Sequence, residues 1–247
     1  MTRQVQQPPL TARASLRWAV VAPLVSRLKP TEILELGCGQ GSFGARLATL
    51  GHYTGVEPDE SSWNVAHERI APQGGTVLHG DHHKVPEGSQ YDLVCAFEVL
   101  EHLSDDASPL AEWVQFAKPG GDVLVSVPAD QERYGPSDEL VGHYRRYSPQ
   151  QLAELLGSAG LTDISVRRYG WPLCYLLEVA HNRVAARKLN SAADTAEERS
   201  ATSGRFLQPT GAAGGLIRLG VKPFNALQHL APRKGTWLVA QAKRPTA

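Results

Sequence analysis

Glu35-Leu36-Gly37-Cys38-Gly39-Gln40-Gly41 is the stretch that decides the fold of this 247-residue chain. It follows a short apolar run at residues 33–36 and precedes a predicted helix at 43–50, so it forms the turn between a strand and a helix. Three glycines at alternate positions let the backbone turn tightly and approach a ligand where a side chain would clash. The free N–H groups of the following helix favour an anionic group there. The stretch therefore predicts a strand–loop–helix unit that cradles a ligand.

Short apolar runs and helical segments alternate on both sides of this loop. The predicted strands lie at 33–36, 53–57, 76–80, 92–97, 122–127, 163–169 and 237–242, and the predicted helices at 11–28, 43–50, 60–70, 107–117 and 149–159. This alternation is typical of a parallel sheet covered by helices on both faces, which is the α/β class. Two further helical stretches, at 173–184 and 216–230, flank a Ser-, Ala-, Thr- and Gly-rich piece before the last strand.

Composition excludes several classes of protein. Lys plus Arg and Asp plus Glu number 25 each, so no overall basic field predicts a nucleic-acid partner. Cys38, Cys95 and Cys174 are odd in number and lack C-x-x-C spacing, which argues against a disulfide scaffold and for a reducing compartment. The apolar stretch at 18–25 is too short to span a bilayer. We expect a cytoplasmic enzyme without a transmembrane segment.

Acidic residues end the second and third predicted strands. Glu57 stands where an acid can accept hydrogen bonds from both hydroxyls of a ribose. Asp81 stands where an acid can accept a hydrogen bond from an adenine amino group. Both would meet the glycine loop at the carboxyl edge of the sheet, where open α/β sheets bind ligands. Residues 39–44 also match the dinucleotide fingerprint G-x-G-x-x-G, so an NAD-dependent oxidoreductase is an alternative. For each feature, an ordinary structural turn or loop is the other alternative.

Together with three downstream motifs, these residues resemble the class I S-adenosylmethionine-dependent methyltransferase family. The motifs are Phe97-Glu98-Val99-Leu100-Glu101-His102-Leu103, Lys118-Pro119-Gly120-Gly121 and Arg145-Arg146-Tyr147-Ser148-Pro149. The resemblance covers about residues 31–168 and the last strand, and a dehydrogenase is not expected to carry all of these motifs. It implies a Rossmann-like three-layer sandwich with a mostly parallel seven-stranded sheet, an antiparallel last strand and a helical insertion between strands six and seven.

The resemblance also implies a domain organisation and a set of cofactor-binding residues. Residues 1–247 would form a single domain, with an N-terminal helical extension at 1–30, a cofactor-binding core at 31–169 and 235–247, and a helical acceptor-binding insertion or lid at 170–234. Glu35, Gly37, Gly39 and Gly41 of the loop would hold the methionine half of S-adenosylmethionine, and Glu57 would hold the ribose. Asp81 and His82 would contact the adenine, and the backbone of Phe97 would face the methionine amino group.

Two histidines are candidate catalytic bases. A hydroxyl acceptor must lose a proton as it is methylated, and histidine is the side chain that accepts a proton near neutral pH. His102 follows strand four, and His143 lies in a polar, aromatic and basic stretch at 142–147 that should pass over the open edge of the sheet. We prefer His143, while a structural role for either histidine is the alternative.

The charged neighbours of these histidines have two interpretations each. Arg145 and Arg146 either contact the acceptor or pair with acids such as Asp138 and Glu139. Glu98, Glu101 and His102 have the oxygen and nitrogen atoms of a divalent-cation site. This run resembles the Glu-x-x-Glu-His of ubiquinone-type and small-RNA methyltransferases, in which a metal helps to hold the acceptor hydroxyl. Relatives that are not known to use metal share it, so a divalent metal stays an open alternative and is not the expectation.

The sequence therefore predicts an S-adenosylmethionine-dependent methyltransferase acting on a small molecule, by O-methylation. The apolar content of the insertion suggests a partly apolar acceptor. The basic side of its first helix, with His181, Arg183, Arg187 and Lys188, is compatible with a peripheral membrane contact or a partner protein. A noncatalytic cofactor-binding or scaffold protein is the third alternative, and the sequence predicts no oligomeric state.

Overall fold

A computed structural model describes residues 7–189 and 211–246 of the chain. Its central sheet has seven strands in the order β3-β2-β1-β4-β5-β7-β6. Most of the Ser-, Ala-, Thr- and Gly-rich piece of the insertion lies outside the described residues. The strands are β1 (Glu32–Leu36), β2 (His52–Glu57), β3 (Thr76–His79), β4 (Tyr91–Phe97), β5 (Ala117–Pro128), β6 (Thr162–Gly170) and β7 (Gly235–Lys243).

The strand directions confirm the predicted architecture. Strands β1 to β5 pair in parallel, whereas β7 runs antiparallel to both β5 and β6. Val239 is opposite Ser126 on one side and Arg167 on the other, so the last strand is inserted between its two neighbours. Because β1 to β4 are parallel, the loops that follow them meet at one edge of the sheet.

Eight helices flank the sheet in the described residues. They are α1 (Ala12–Leu28), α2 (Gly44–Leu47), α3 (Glu60–Ile70), α4 (Ala107–Gln115), α5 (Pro136–Val141), α6 (Pro149–Ser158), α7 (Leu173–Leu189) and α8 (Gly211–Leu230). The hydroxyl of Ser148 accepts a hydrogen bond from the Gln151 N–H and begins α6 at Pro149, as predicted. The prediction for α2 was too long, because the chain must already turn after Leu47 to enter β2. The short helix α5 was not predicted.

Two apolar clusters, one on each face of the sheet, form the core. Helix α1 contributes to one of them and contacts β6, β7 and α8. Its buried apolar residues are Leu16, Val21, Leu24 and Val25, and the partly buried Val20 and Leu28 pack against the same cluster. Contact with several elements at once widens the buried face beyond a single stripe. In the described part of the chain, no helix has both the length and the apolar character that crossing a membrane requires.

Candidate functional site

The glycine loop after β1 leaves an open space at its middle glycine. Gly37, Gly39 and Gly41 all have positive φ angles, of 69°, 54° and 72°. A Cβ atom at Gly37 would lie 2.7 Å from Val99 Cγ2, and one at Gly41 would lie 2.8 Å from Ile70 Cδ1. A Cβ atom at Gly39 would meet no atom within 4 Å. Packing within the protein thus explains two of the glycines, while Gly39 borders a space that a ligand can enter.

The acid at the end of β2 is joined to this loop by hydrogen bonds. The backbone N–H of Gly39 donates to Glu57 Oε2 at 2.7 Å, and the N–H of Asp59 donates to Oε1 at 3.0 Å. Burial raises the pKa of Glu57 even though these two N–H groups favour its ionised form. The structure therefore brings together Gly39 and Glu57, two of the predicted cofactor-binding residues.

Glu35 lies in an enclosed position below the loop. Its side chain is buried, and Glu35 Oε2 accepts a hydrogen bond from the hydroxyl of Tyr53 at 2.5 Å. Burial raises the pKa of Glu35 to about 8, so the carboxyl is protonated at neutral pH. This geometry supports the loop from behind, and direct contact between Glu35 and a cofactor stays a prediction.

The other three predicted cofactor residues follow β3 and β4. Asp81 is exposed, and its Oδ1 accepts a hydrogen bond from the His83 N–H at 3.0 Å. His82 Nε2 lies 2.6 Å from Glu112 Oε2 in α4. Phe97 ends β4, with its ring centroid 5.1 Å from that of Phe43. All three lie at the carboxyl edge of the sheet, and their roles toward adenine and methionine stay predictions.

Arg17 is a residue of this edge that no sequence pattern indicated. It extends from α1, and its Nη1 lies 2.8 Å from Glu98 Oε1 and 3.2 Å from Ser126 Oγ. The guanidinium carbon also lies 5.0 Å from the centroid of the Phe43 ring. The helical periodicity of α1 gave no signal for this position, because it reports only the apolar face. Helix α1 thus brings a cation to the loop that follows β4.

The two candidate catalytic histidines meet in the structure, although 41 positions separate them in the sequence. Their ring centroids are 4.7 Å apart, and His143 Nε2 lies 3.8 Å from Glu101 Oε1. Burial and the neighbouring charge of His143 lower the pKa of His102 to about 3, and the His102 ring hydrogen-bonds the backbone of Gly142. His102 is therefore uncharged at neutral pH and a weak base.

Glu101 is completely buried beside these histidines. Neither of its carboxylate oxygens has a hydrogen-bond partner within residues 7–189 and 211–246. Burial, together with the charge of Glu98, raises the pKa of Glu101 well above its usual range. One ligand atom from each of Glu101, His102 and His143 lies within 4.8 Å of the others. A buried acid in this state must be neutralised, by a proton or by a cation.

A buried ion pair orients His143. His143 Nδ1–H donates to Asp138 Oδ1 at 2.8 Å, and Arg146 donates to both Asp138 oxygens, at 2.9 and 2.7 Å. Burial favours the neutral acid, but hydrogen bonds from His143 and Arg146 outweigh it and lower the pKa of Asp138 to about 2. Because ionised Asp138 accepts the hydrogen bond of His143 Nδ1–H, His143 Nε2 is the nitrogen that can exchange a proton with a ligand.

Both arginines pair with acids, as the second interpretation expected: Arg146 with Asp138, and Arg145 with an acid that no sequence pattern indicated. Arg145 Nη1 lies 2.8 Å from Asp106 Oδ2, before α4. Arg146 also lies 3.4 Å from Glu178 of α7, so the first insertion helix contacts the group that holds His143. Glu178 gave no signal in the sequence beyond its acidic character, since its partner Arg146 lies 32 positions away in another element.

Comparisons with known proteins agree with one another. A family model described as a methyltransferase domain matches residues 11–166. A probable S-adenosylmethionine-dependent methyltransferase of Mycolicibacterium smegmatis is 33% identical over 143 residues, which cover 56% of this chain and 54% of that protein. A ubiquinone biosynthesis O-methyltransferase of Aromatoleum aromaticum is 34% identical over 101 residues, covering 38% and 42%. The chain spans about half the length of the curated relatives that it matches.

Solved structures share the fold at low sequence identity. Phosphoethanolamine N-methyltransferase 2 of Haemonchus contortus, in complex with S-adenosyl-L-methionine, has a TM-score of 0.57 and 20% identity, covering 92% of this chain and 53% of that chain. A putative methyltransferase of Bacillus halodurans has a TM-score of 0.59 and 15% identity, covering 92% and 99%.

Proposed function

Because the chain belongs to the class I S-adenosylmethionine-dependent methyltransferase family, we propose that it transfers the cofactor's methyl group to a hydroxyl oxygen of a small, partly apolar molecule. The observation that carries the proposal is the Asp138–His143 pair beside the loop that follows β4. Similarity to ubiquinone biosynthesis O-methyltransferases supports oxygen as the methylated atom. An NAD-dependent oxidoreductase and a noncatalytic scaffold are not favoured by these comparisons.

The glycine loop fits the cofactor. The open space at Gly39 admits a ligand close to the backbone, and the Glu57 carboxylate at the same place suits ribose hydroxyls. When bound, S-adenosylmethionine supplies an electrophilic methyl group, so the protein must orient the acceptor, exclude water and remove a proton. We assign cofactor binding to the eight residues predicted above, from Glu35 to Phe97.

His143 is the proposed general base. Ionised Asp138 holds its Nδ1–H, which leaves Nε2 to take the proton of the acceptor hydroxyl and stabilises the imidazolium that forms. Arg146 keeps Asp138 ionised and in place. Because its pKa is lowered, His102 lines the site as an uncharged side chain and does not act as the base.

The same cluster fits a divalent cation. Glu101 offers buried oxygens without a hydrogen-bond partner in the described part of the chain, and His102 and His143 offer nitrogens. When bound, the cation would neutralise Glu101 and supply a Lewis acid for the acceptor oxygen. Calorimetric titration with magnesium or manganese tests this alternative: binding that Glu101→Gln abolishes supports it, and an absence of binding contradicts it.

The first experiment is calorimetric titration with S-adenosylhomocysteine, with NADH in parallel. We expect binding of S-adenosylhomocysteine alone, and a preference for NADH would contradict the family assignment of the loop. Transfer of a labelled methyl group to a panel of phenols, carboxylates and amines then tests the acceptor. Methylation of amines but not of phenols would contradict O-methylation.

The proposal extends to the organisation of the chain and its location. We assign the helices between β6 and β7 to acceptor binding, since Glu178 of α7 contacts the Arg146 that holds the base. We also propose a cytoplasmic location, because Cys38, Cys95 and Cys174 are all free and buried, as suits a reducing compartment. Proximity labelling in the native cell tests the location. Labelling of this protein by an enzyme placed outside the cytoplasm would contradict it.

A further inference from the structure

The helices between β6 and β7 combine exposed apolar side chains with an excess of positive charge. Seven large apolar side chains are exposed in the described residues, and five of them lie on α7 and α8: Leu176, Val179, Val184, Leu219 and Leu230. Residues 173–189 and 211–234 hold seven basic residues, namely Arg183, Arg187, Lys188, Arg218, Lys222, Arg233 and Lys234. Their one acid, Glu178, is buried against Arg146. Since the whole chain has a net charge of zero, this region is a local concentration of cations.

One face of α7 carries both properties. Leu176, Val179, Arg183, Val184 and Arg187 are all exposed. Leu176, Val179, Arg183 and Arg187 follow one another at intervals of three or four residues, and Val184 lies three before Arg187, so all five share one side of the helix. The three aliphatic side chains are 66%, 49% and 51% exposed, in that order along the chain. We call these five residues the α7 stripe. It contains no acid.

The opposite face of α7 is fixed to the protein. Cys174, Glu178 and Ala185 are buried, and α7 contacts α5 and β7. Asn182 Oδ1 accepts a hydrogen bond from the Ser137 N–H at 3.0 Å, which ties the helix to the beginning of α5. The α7 stripe is therefore the outward surface of an anchored helix. In the part of the chain that the structure describes, neither Arg183 nor Arg187 forms an ion pair.

We propose that the α7 stripe docks onto the surface of an anionic lipid bilayer. Exposed aliphatic side chains gain free energy by entering the boundary between head groups and acyl chains, and guanidinium groups bind lipid phosphates. The absence of acids removes the repulsion that an anionic membrane would exert on an ordinary surface helix. Charge complementarity and apolar exposure thus point to the same occupant.

Other occupants fit the α7 stripe less well. A symmetric contact with a second copy would bring the arginines of both stripes together, where like charges repel. Single-stranded RNA requires aromatic side chains on which bases stack, and the stripe has none. An acidic protein surface would satisfy the arginines but leave the aliphatic side chains without a matching partner. A lipid surface satisfies both.

Docking there would place the candidate acceptor site next to the membrane. Glu178, on the buried face of α7, lies 3.4 Å from Arg146, which holds Asp138 and through it His143. An apolar acceptor dissolved in the bilayer would then have a short path to the base. This consequence rests on the proposed function, whereas the docking itself does not.

The test is flotation of the full chain with vesicles. We expect binding to vesicles of equal parts phosphatidylglycerol and phosphatidylcholine, weak binding to pure phosphatidylcholine, and a loss of binding at high salt. Arg183→Gln with Arg187→Gln should lower the partition coefficient about fivefold for each charge removed, or about 25-fold together. Leu176→Gln with Val179→Gln should weaken binding at unchanged charge.

A matched variant controls for charge alone. Arg27→Gln with Lys29→Gln removes two exposed cations at the end of α1 and should leave vesicle binding unchanged. Absence of binding to anionic vesicles, or equal losses in the control and the Arg183/Arg187 variant, would overturn the proposal. So would dimerisation that the Leu176/Val179 variant abolishes, or RNA binding without vesicle binding. Titration of every variant with S-adenosylhomocysteine shows that the fold is intact and separates failure of docking from failure of the proposed function.

Discussion

Replacement of Gly39 by alanine tests the cofactor site most directly. Gly39 has a φ of 54°, and a Cβ atom there would meet no protein atom within 4 Å. A residue with a side chain in this left-handed conformation costs about 1 kcal/mol of stability, so Gly39→Ala should fold. The added methyl group would occupy the space into which the ligand must fit. Overpacking of this kind costs about 1–3 kcal/mol, so affinity for S-adenosylhomocysteine should fall by a factor of about 5 to 150.

Gly74 provides the matched control. It also has a positive φ, of 81°, and a Cβ atom there would again meet nothing within 4 Å, but it lies in the turn before β3. Both variants should lose a similar free energy of unfolding in urea, and only Gly39→Ala should lose affinity in calorimetric titration. If Gly39→Ala binds S-adenosylhomocysteine as tightly as the unmodified protein, the loop does not hold the cofactor and the reasoning is refuted.

Three further predictions concern the acids and the base of the site. Glu57→Gln should weaken S-adenosylhomocysteine binding about 10- to 100-fold, because a charge-assisted hydrogen bond contributes about 1.5–3 kcal/mol, and an unchanged Kd in calorimetry would contradict the ribose-binding role. His143→Gln should slow methyl transfer about 100-fold or more while leaving cofactor affinity nearly unchanged, and a normal rate would return His143 to a structural role. The pKa of Glu35 is raised to about 8, so its contribution to stability is complete below pH 4.5 and is lost as the pH rises toward 8. The loss amounts to about 3 kcal/mol by pH 7, and Glu35→Gln should abolish it. Urea unfolding between pH 5 and pH 8 measures it, and the same pH dependence in both proteins would contradict the raised pKa of Glu35.

The elements of the sheet could be predicted from sequence because their signals are local. Apolar runs of strand length, the Ser148-Pro149 helix start and the glycine loop at 37–41 each depend on a few neighbouring residues. The meeting of Gly39 and Glu57 followed as well, since parallel strands bring their carboxyl ends to one edge. The antiparallel β7 came from the family resemblance and not from periodicity.

The sequence by itself thus determined the fold class, the glycine loop that borders the open space at Gly39 and the identity of the two histidines. Only the tertiary structure decided how charge is distributed around them. Asp138 holds His143, Arg17 reaches Glu98 and Arg145 turns to Asp106 because separate helices and loops converge on one edge of the sheet. Burial then lowers the pKa of one histidine and raises that of Glu101. Such effects depend on which groups are excluded from water together, and local sequence patterns carry no information about that.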